Sequence, residues 1–112
     1  MQHRAFYYFP ETDEEVLPEA NLRLEAPELF RLFQRLGESD EDFLGMIDER
    51  EATLQVIYQP EHKRYWFEIP DPERGGSYGG RFTAEEAARL FENLPEFFDW
   101  ERVLPGLQFQ SW

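Results

Sequence analysis

Twenty-four of the 112 residues are Asp or Glu, against eleven Lys and Arg. Two runs concentrate them: Glu11, Asp13, Glu14 and Glu15, then Glu38, Asp40, Glu41 and Asp42. Carboxylates grouped in this way can hold a divalent cation, share a proton in acid–base catalysis, or meet a cationic surface. A calcium loop of the EF-hand type needs alternating oxygen ligands, a Gly at its sixth position and a distal Glu. Counting from Asp40, Gly45 and Glu51 fall at the right places, but Phe43 and Leu44 stand in an apolar run where a ligand is required. That run reads better as a strand. Carboxylate pairs of the glycosidase kind depend on a separation in space that spacing along the chain does not supply.

Other chemistry is sparser. The stretch Gly75-Gly76-Ser77-Tyr78-Gly79-Gly80, flanked by Arg74 and Arg81, lies between a strand and a helix, where phosphate-binding turns occur. It lacks the Lys-Ser/Thr of a P-loop and the GxGxxG spacing, and Glu85 and Glu86 crowd the following helix start. A flexible crossover loop over 71–81 is expected, with Tyr78 open to a docking partner; a small-molecule or nucleotide sensor using 74–81 is an alternative. His3 and His62 have no second His at helical spacing, so no His-based metal site is expected. Ser39, Ser77 and Ser111 lie in loops or near an end, away from any nucleophile-elbow pattern. There is no cysteine, which excludes disulfides and thiolate chemistry. No catalytic residue, cofactor or metal is expected.

The elements that must position these residues are clearer. In Ala52–Gln59, Ala52, Leu54, Val56 and Tyr58 fall on one face of a strand; Tyr65, Phe67 and Ile69 do the same in the next segment. This is the period-two pattern of strands with one buried side. Pro60-Glu61-His62-Lys63 between them is turn chemistry. With 43–47 ahead of them, the strands 43–47, 52–59 and 64–69 form a meander. Arg4–Phe9 is an aromatic strand, and 107–112 alternates as an edge strand beside 4–9.

The residues ETDEEVLPEA, 11–20, predict an extended, mobile acidic loop, because neighbouring carboxylates repel. Leu29, Leu32, Phe33 and Leu36 fall on one helical stripe over 27–36, ended by Gly37. A second helix over 84–94 carries Ala87, Leu90, Phe91 and Leu94 on one stripe and opens with a capping box, Thr83 and Glu86. A short helix within 96–104 would turn Phe97, Trp100 and Leu104 inward. Residues 1–112 are thus expected to form a single α+β domain: an antiparallel sheet of three to five strands with two or three helices packed on one face.

The formal net charge is −13, with net −9 carried by residues 1–51. Such a field repels nucleic acid and anionic membranes and attracts basic surfaces. The N-terminal apolar run is too short for a signal peptide, and no run approaches the ~18 residues needed to span a bilayer. A cytoplasmic location fits. The expected function is that of a small acidic, non-catalytic binding protein engaging a basic protein partner, in the manner of immunity proteins, toxin inhibitors or secretion chaperones. Its contacts would be Glu11, Asp13, Glu14, Glu15, Glu38, Asp40, Glu41 and Asp42. Trp66, on the opposite face of its strand from Phe67, would add an exposed patch with Ile57 if no helix covers that face. The alternative is a homo-oligomeric structural subunit.

Overall fold

The computed structural model describes all residues from Met1 to Trp112. Its strands are β1 (Gln2–Phe9), β2 (Glu14–Val16), β3 (Leu22–Glu25), β4 (Phe43–Ile47), β5 (Thr53–Gln59), β6 (Arg64–Asp71), β7 (Gly76–Phe82) and β8 (Gln108–Ser111). Helix α1 is Ala26–Gln34, α2 is Ala84–Glu92 and α3 is Trp100–Val103. All eight strands belong to one antiparallel sheet, ordered β2-β1-β4-β5-β6-β7-β8, with β3 also on β1. The class is α+β, and the sheet is larger than the expected three to five strands. No helix is long and apolar enough to cross a membrane.

The central hairpin follows the alternation. Val56 lies opposite Phe67 and Tyr58 opposite Tyr65. Leu54, Val56, Phe67 and Ile69 are buried on the side that receives the helices. Helix α1 brings Leu29 and Phe33 to that side, with Leu36 just after it, and α2 brings Ala87, Leu90 and Phe91. The capping box of α2 forms in both directions: Glu86 N–H donates to Thr83 Oγ1 at 3.1 Å, and Thr83 N–H donates to Glu86 Oε1 at 2.8 Å. Phe33 joins the layers. Its ring centroid is 4.5 Å from Tyr65, 5.1 Å from Phe91 and 6.4 Å from Phe67.

Four expectations are corrected. Residues 11–20 are not a free loop. Pro10–Thr12 and Pro18–Ala20 are 3-10 turns, and Glu14–Val16 between them is β2, paired with Tyr7–Phe9. Each turn closes when a left-handed residue, Asp13 or Asn21, donates its N–H to the proline carbonyl at 3.1 Å. Repulsion among solvated carboxylates is small beside two closed turns and a strand ladder. The glycine stretch is not a loop either: Gly76–Phe82 is β7, a strand inside the sheet. Its glycines admit close neighbours. A Cβ on Gly79 would lie 2.3 Å from the Trp66 ring, and one on Gly76 would lie 2.3 Å from the Gln110 carbonyl oxygen. Strand β8 pairs with β7, not with β1. In the 96–104 segment Phe98, Val103 and Leu104 go inward, while Phe97 is half-buried and Trp100 is 38% exposed.

Asp48 and His3 anchor that segment. Buried Asp48 accepts N–H bonds from Arg50 (2.8 Å) and Ala52 (3.0 Å) at Oδ1, and from Phe98 (2.8 Å) at Oδ2. His3 stacks on Phe98 at 5.1 Å. Its Nε2 faces the carbonyl oxygens of Pro95 (3.0 Å) and Glu96 (3.3 Å), so that nitrogen carries the hydrogen.

Phe33→Ala leaves a cavity where α1, α2 and β6 meet. It should cost about 3–5 kcal/mol in urea unfolding; a loss below about 1 kcal/mol would mean that the layers close without this ring. Asp48→Ala strands three N–H groups and should cost about 2–4 kcal/mol by the same measurement.

Candidate functional site

The two acidic runs meet at one corner. Strand β1 ends at Phe9, and the Pro10 turn brings β2 back along one side of it, with Phe9 opposite Glu14 and Tyr8 opposite Glu15. On the other side of β1, β4 begins with Phe43 opposite Tyr8. Residues 10–15 and 38–42 therefore flank the same end of β1.

Arg35, just after α1, ties them together. Its guanidinium lies 4.1 Å from the centre of the Phe9 ring. It donates to the Glu14 carboxylate, to Thr12 Oγ1 at 3.1 Å and, from Nε, to Glu38 Oε1 at 3.3 Å. The Thr12 hydroxyl in turn donates to Glu14. Arg35 holds the Glu14 carboxyl below the ordinary carboxylate range, and Thr12 adds to the effect. The Arg35 guanidinium is correspondingly harder to deprotonate, Glu14 being the main cause.

The eight expected contact carboxylates divide accordingly. Glu11, Asp13, Glu15, Glu38, Asp40 and Glu41 are exposed. Glu14 is half-buried and committed to Arg35. Asp42 is corrected from contact to scaffold: only 3% exposed, it accepts from the Ser39 N–H at 3.1 Å and the Ser39 hydroxyl at 2.9 Å. This closes the turn that leads into β4. Nor do residues 40–51 form a calcium loop, since Phe43–Ile47 is β4. No group of three or more His, Asp or Glu side chains is placed to hold a metal ion.

The two aromatic candidates part company. Tyr78 is buried, stacked flat on Trp100 at 4.5 Å with Phe109 against its edge. Its place on a sheet strand facing the helices withdraws it from any docking role. Trp66 lies on the opposite side of the sheet, where no helix covers it. Its indole N–H donates to Glu68 Oε1 at 3.2 Å, Arg81 sits 5.6 Å from its ring, and Ile57 beside it is 38% exposed. Because Gly76–Gly80 is strand, no phosphate-binding turn exists there, and the nucleotide-sensor alternative loses its site.

Arg35, His3 and Asp48 were not singled out by sequence. Arg35 stands 21 residues from Glu14, on the flank of a helix, and nothing local announces the pairing.

Glu14 has a depressed folded-state pKa. Its contribution to stability is therefore complete above the ordinary carboxylate range and is lost as pH falls through the depressed value. Glu14→Gln should make stability fall less steeply between neutral and acid pH than in the parent chain, as read by urea midpoints across that range. Identical slopes would show that the Arg35 pair adds nothing to folding.

No protein-family model, no curated protein and no solved structure matches this chain.

Proposed function

We propose that the chain is a small acidic, non-catalytic binding protein that engages a basic protein partner at the β1–β4 corner, in the way an immunity protein, inhibitor or chaperone does. The observation that carries this reading is the convergence of two acidic runs, about two dozen residues apart, on one end of one strand. Arg35 neutralises Glu14 and restrains Glu38, leaving Glu11, Asp13, Glu15, Asp40 and Glu41 as exposed carboxylates without an ion pair. A fixed cluster of this kind suits a basic surface better than a scattered one, because little ordering is left to be done on binding. Its long-range field speeds encounter with cations and weakens with salt. A cytoplasmic location accords with the lack of cysteine.

The test compares two variants of equal net charge. One carries Glu11→Gln, Asp13→Asn, Asp40→Asn and Glu41→Gln; the other neutralises Glu73, Glu85, Glu92 and Glu101, which are exposed elsewhere. Immobilised wild-type chain should retain a basic protein from its host extract at low salt and release it at high salt. The corner variant should lose it, and the control variant should keep it. Equal losses in both would reduce the effect to net charge, and retention by the corner variant would remove the corner from the interface.

A further inference from the structure

The three helices all pack on one side of the sheet. On the other side no helix lies over the strands, and only turn and terminal groups reach it: Glu51 pairs with Arg4, Glu49 with Arg23 and the N-terminus with Glu25. The charges on this side differ from the rest of the molecule. Four arginines and three glutamates point that way, and the turn carboxylates Glu51 and Glu49 pair with two of the arginines, a net of −1, in a chain of net −13. The surface is also aromatic. The Phe6 ring lies over Gly45, where a Cβ would sit 2.0 Å from it, and the Trp66 indole covers Gly79. Phe6, Tyr8, Phe43 and Trp66 are each half-buried and Ile57 is exposed; low net charge with accessible aromatic rings is the composition of an interface core.

The register arranges this surface in rows. One row crosses the sheet as Glu15, Tyr8, Phe43, Ile57, Trp66 and Arg81; Phe43 and Ile57 lie one step beyond the last paired residues of β4 and β5. An acid stands at one end and a base at the other, with apolar groups between.

We propose that this face joins two copies of the chain, packed sheet on sheet about a two-fold axis running along the strands between β4 and β5. That operation reverses the row. Phe43 then meets Ile57 of the second copy, Tyr8 meets Trp66, and Glu15 meets Arg81, each contact occurring twice. Strand spacing and rise give a planar footprint of about 400–500 Å² per copy. Two copies then bury on the order of 1,000 Å², the lower bound for a specific interface. A nearly neutral face offers a basic partner little attraction, and a strongly acidic one is repelled by the whole molecule. A second copy meets a balanced, self-complementary row. Of the corner carboxylates only Glu15 enters the contact; Glu11, Asp13, Asp40 and Glu41 stay outside it and repel those of the second copy, so added salt strengthens this association, opposite to its effect at the corner.

Light scattering coupled to size exclusion, over a range of protein concentration at low and high salt, tests the proposal. The expected mass is twice 13.5 kDa, with more dimer at high salt. Ile57→Lys, at an exposed position, should raise the dimer dissociation constant at least about tenfold while leaving thermal unfolding of the fold unchanged. Arg81→Glu should weaken the dimer about tenfold, and the exchange Glu15→Arg with Arg81→Glu should restore it. A monomer under all conditions, a dimer indifferent to Ile57→Lys, or an exchange that restores nothing would each overturn the proposal.

Discussion

The fold depends on the contact of one phenylalanine ring with three others. Phe33 stands on α1 and touches Tyr65 and Phe67 of β6 and Phe91 of α2. Because these rings share one side of the sheet, both long helices are drawn to that side. Nothing in the chain is left to cover the other. The two-sided character of the molecule, an apolar layer beneath helices and an aromatic face without them, follows from where this ring is seated. Glycines contribute on both sides. Gly45 and Gly79 let rings lie flat against the outer face, and Gly76 lets β8 come close to β7.

Much of this was legible in the residues themselves. Alternation in 52–59 and 64–69 specifies which side is buried, because a slip of one residue would turn Val56 and Phe67 to solvent. The Thr83–Glu86 box and the apolar stripes locate both long helices. What misled was composition read without pairing. Four glycines in six residues suggest a loop, yet three of them, Gly76, Gly79 and Gly80, lie in β7 and admit the neighbours beside them, while Gly75 closes the Pro72 turn in a left-handed conformation. The acidic stretch suggests mobility, yet Pro10-Glu11-Thr12-Asp13 and Pro18-Glu19-Ala20-Asn21 have the same turn chemistry that was recognised in Pro60-Glu61-His62-Lys63. The contact carboxylates could be placed on two segments but not at one corner, since the link runs through Arg35, remote in sequence from Glu14. Tyr78 and Trp66 looked equivalent as aromatic candidates; only the register separates a core ring from a surface one.

Charge is sorted by position. Acid collects at the corner beside β1 and on the turns, while the open sheet face is nearly balanced. The ion pairs Arg4–Glu51 (2.6 Å) and Arg23–Glu49 (2.8 Å) hold turn carboxylates against arginines of that face. Exposed pairs like these add little to stability. Their effect is on the local potential: arginine and carboxylate cancel, and the face stays nearly neutral on a strongly negative molecule.

The four Pro-Glu turns, at Pro10, Pro18, Pro60 and Pro72, each end on a left-handed residue whose N–H reaches the proline carbonyl. A proline ring narrows the backbone before any tertiary contact exists. The denatured chain therefore already carries four half-made corners, each flanked by segments that pair with near neighbours in sequence. Closing them costs less chain entropy than closing an unrestrained loop. Assembly can begin at the Pro10, Pro60 or Pro72 hairpin and leave the distant pairing of β1 with β4 until last, so the spacing of the prolines favours an order in which local pairs form first.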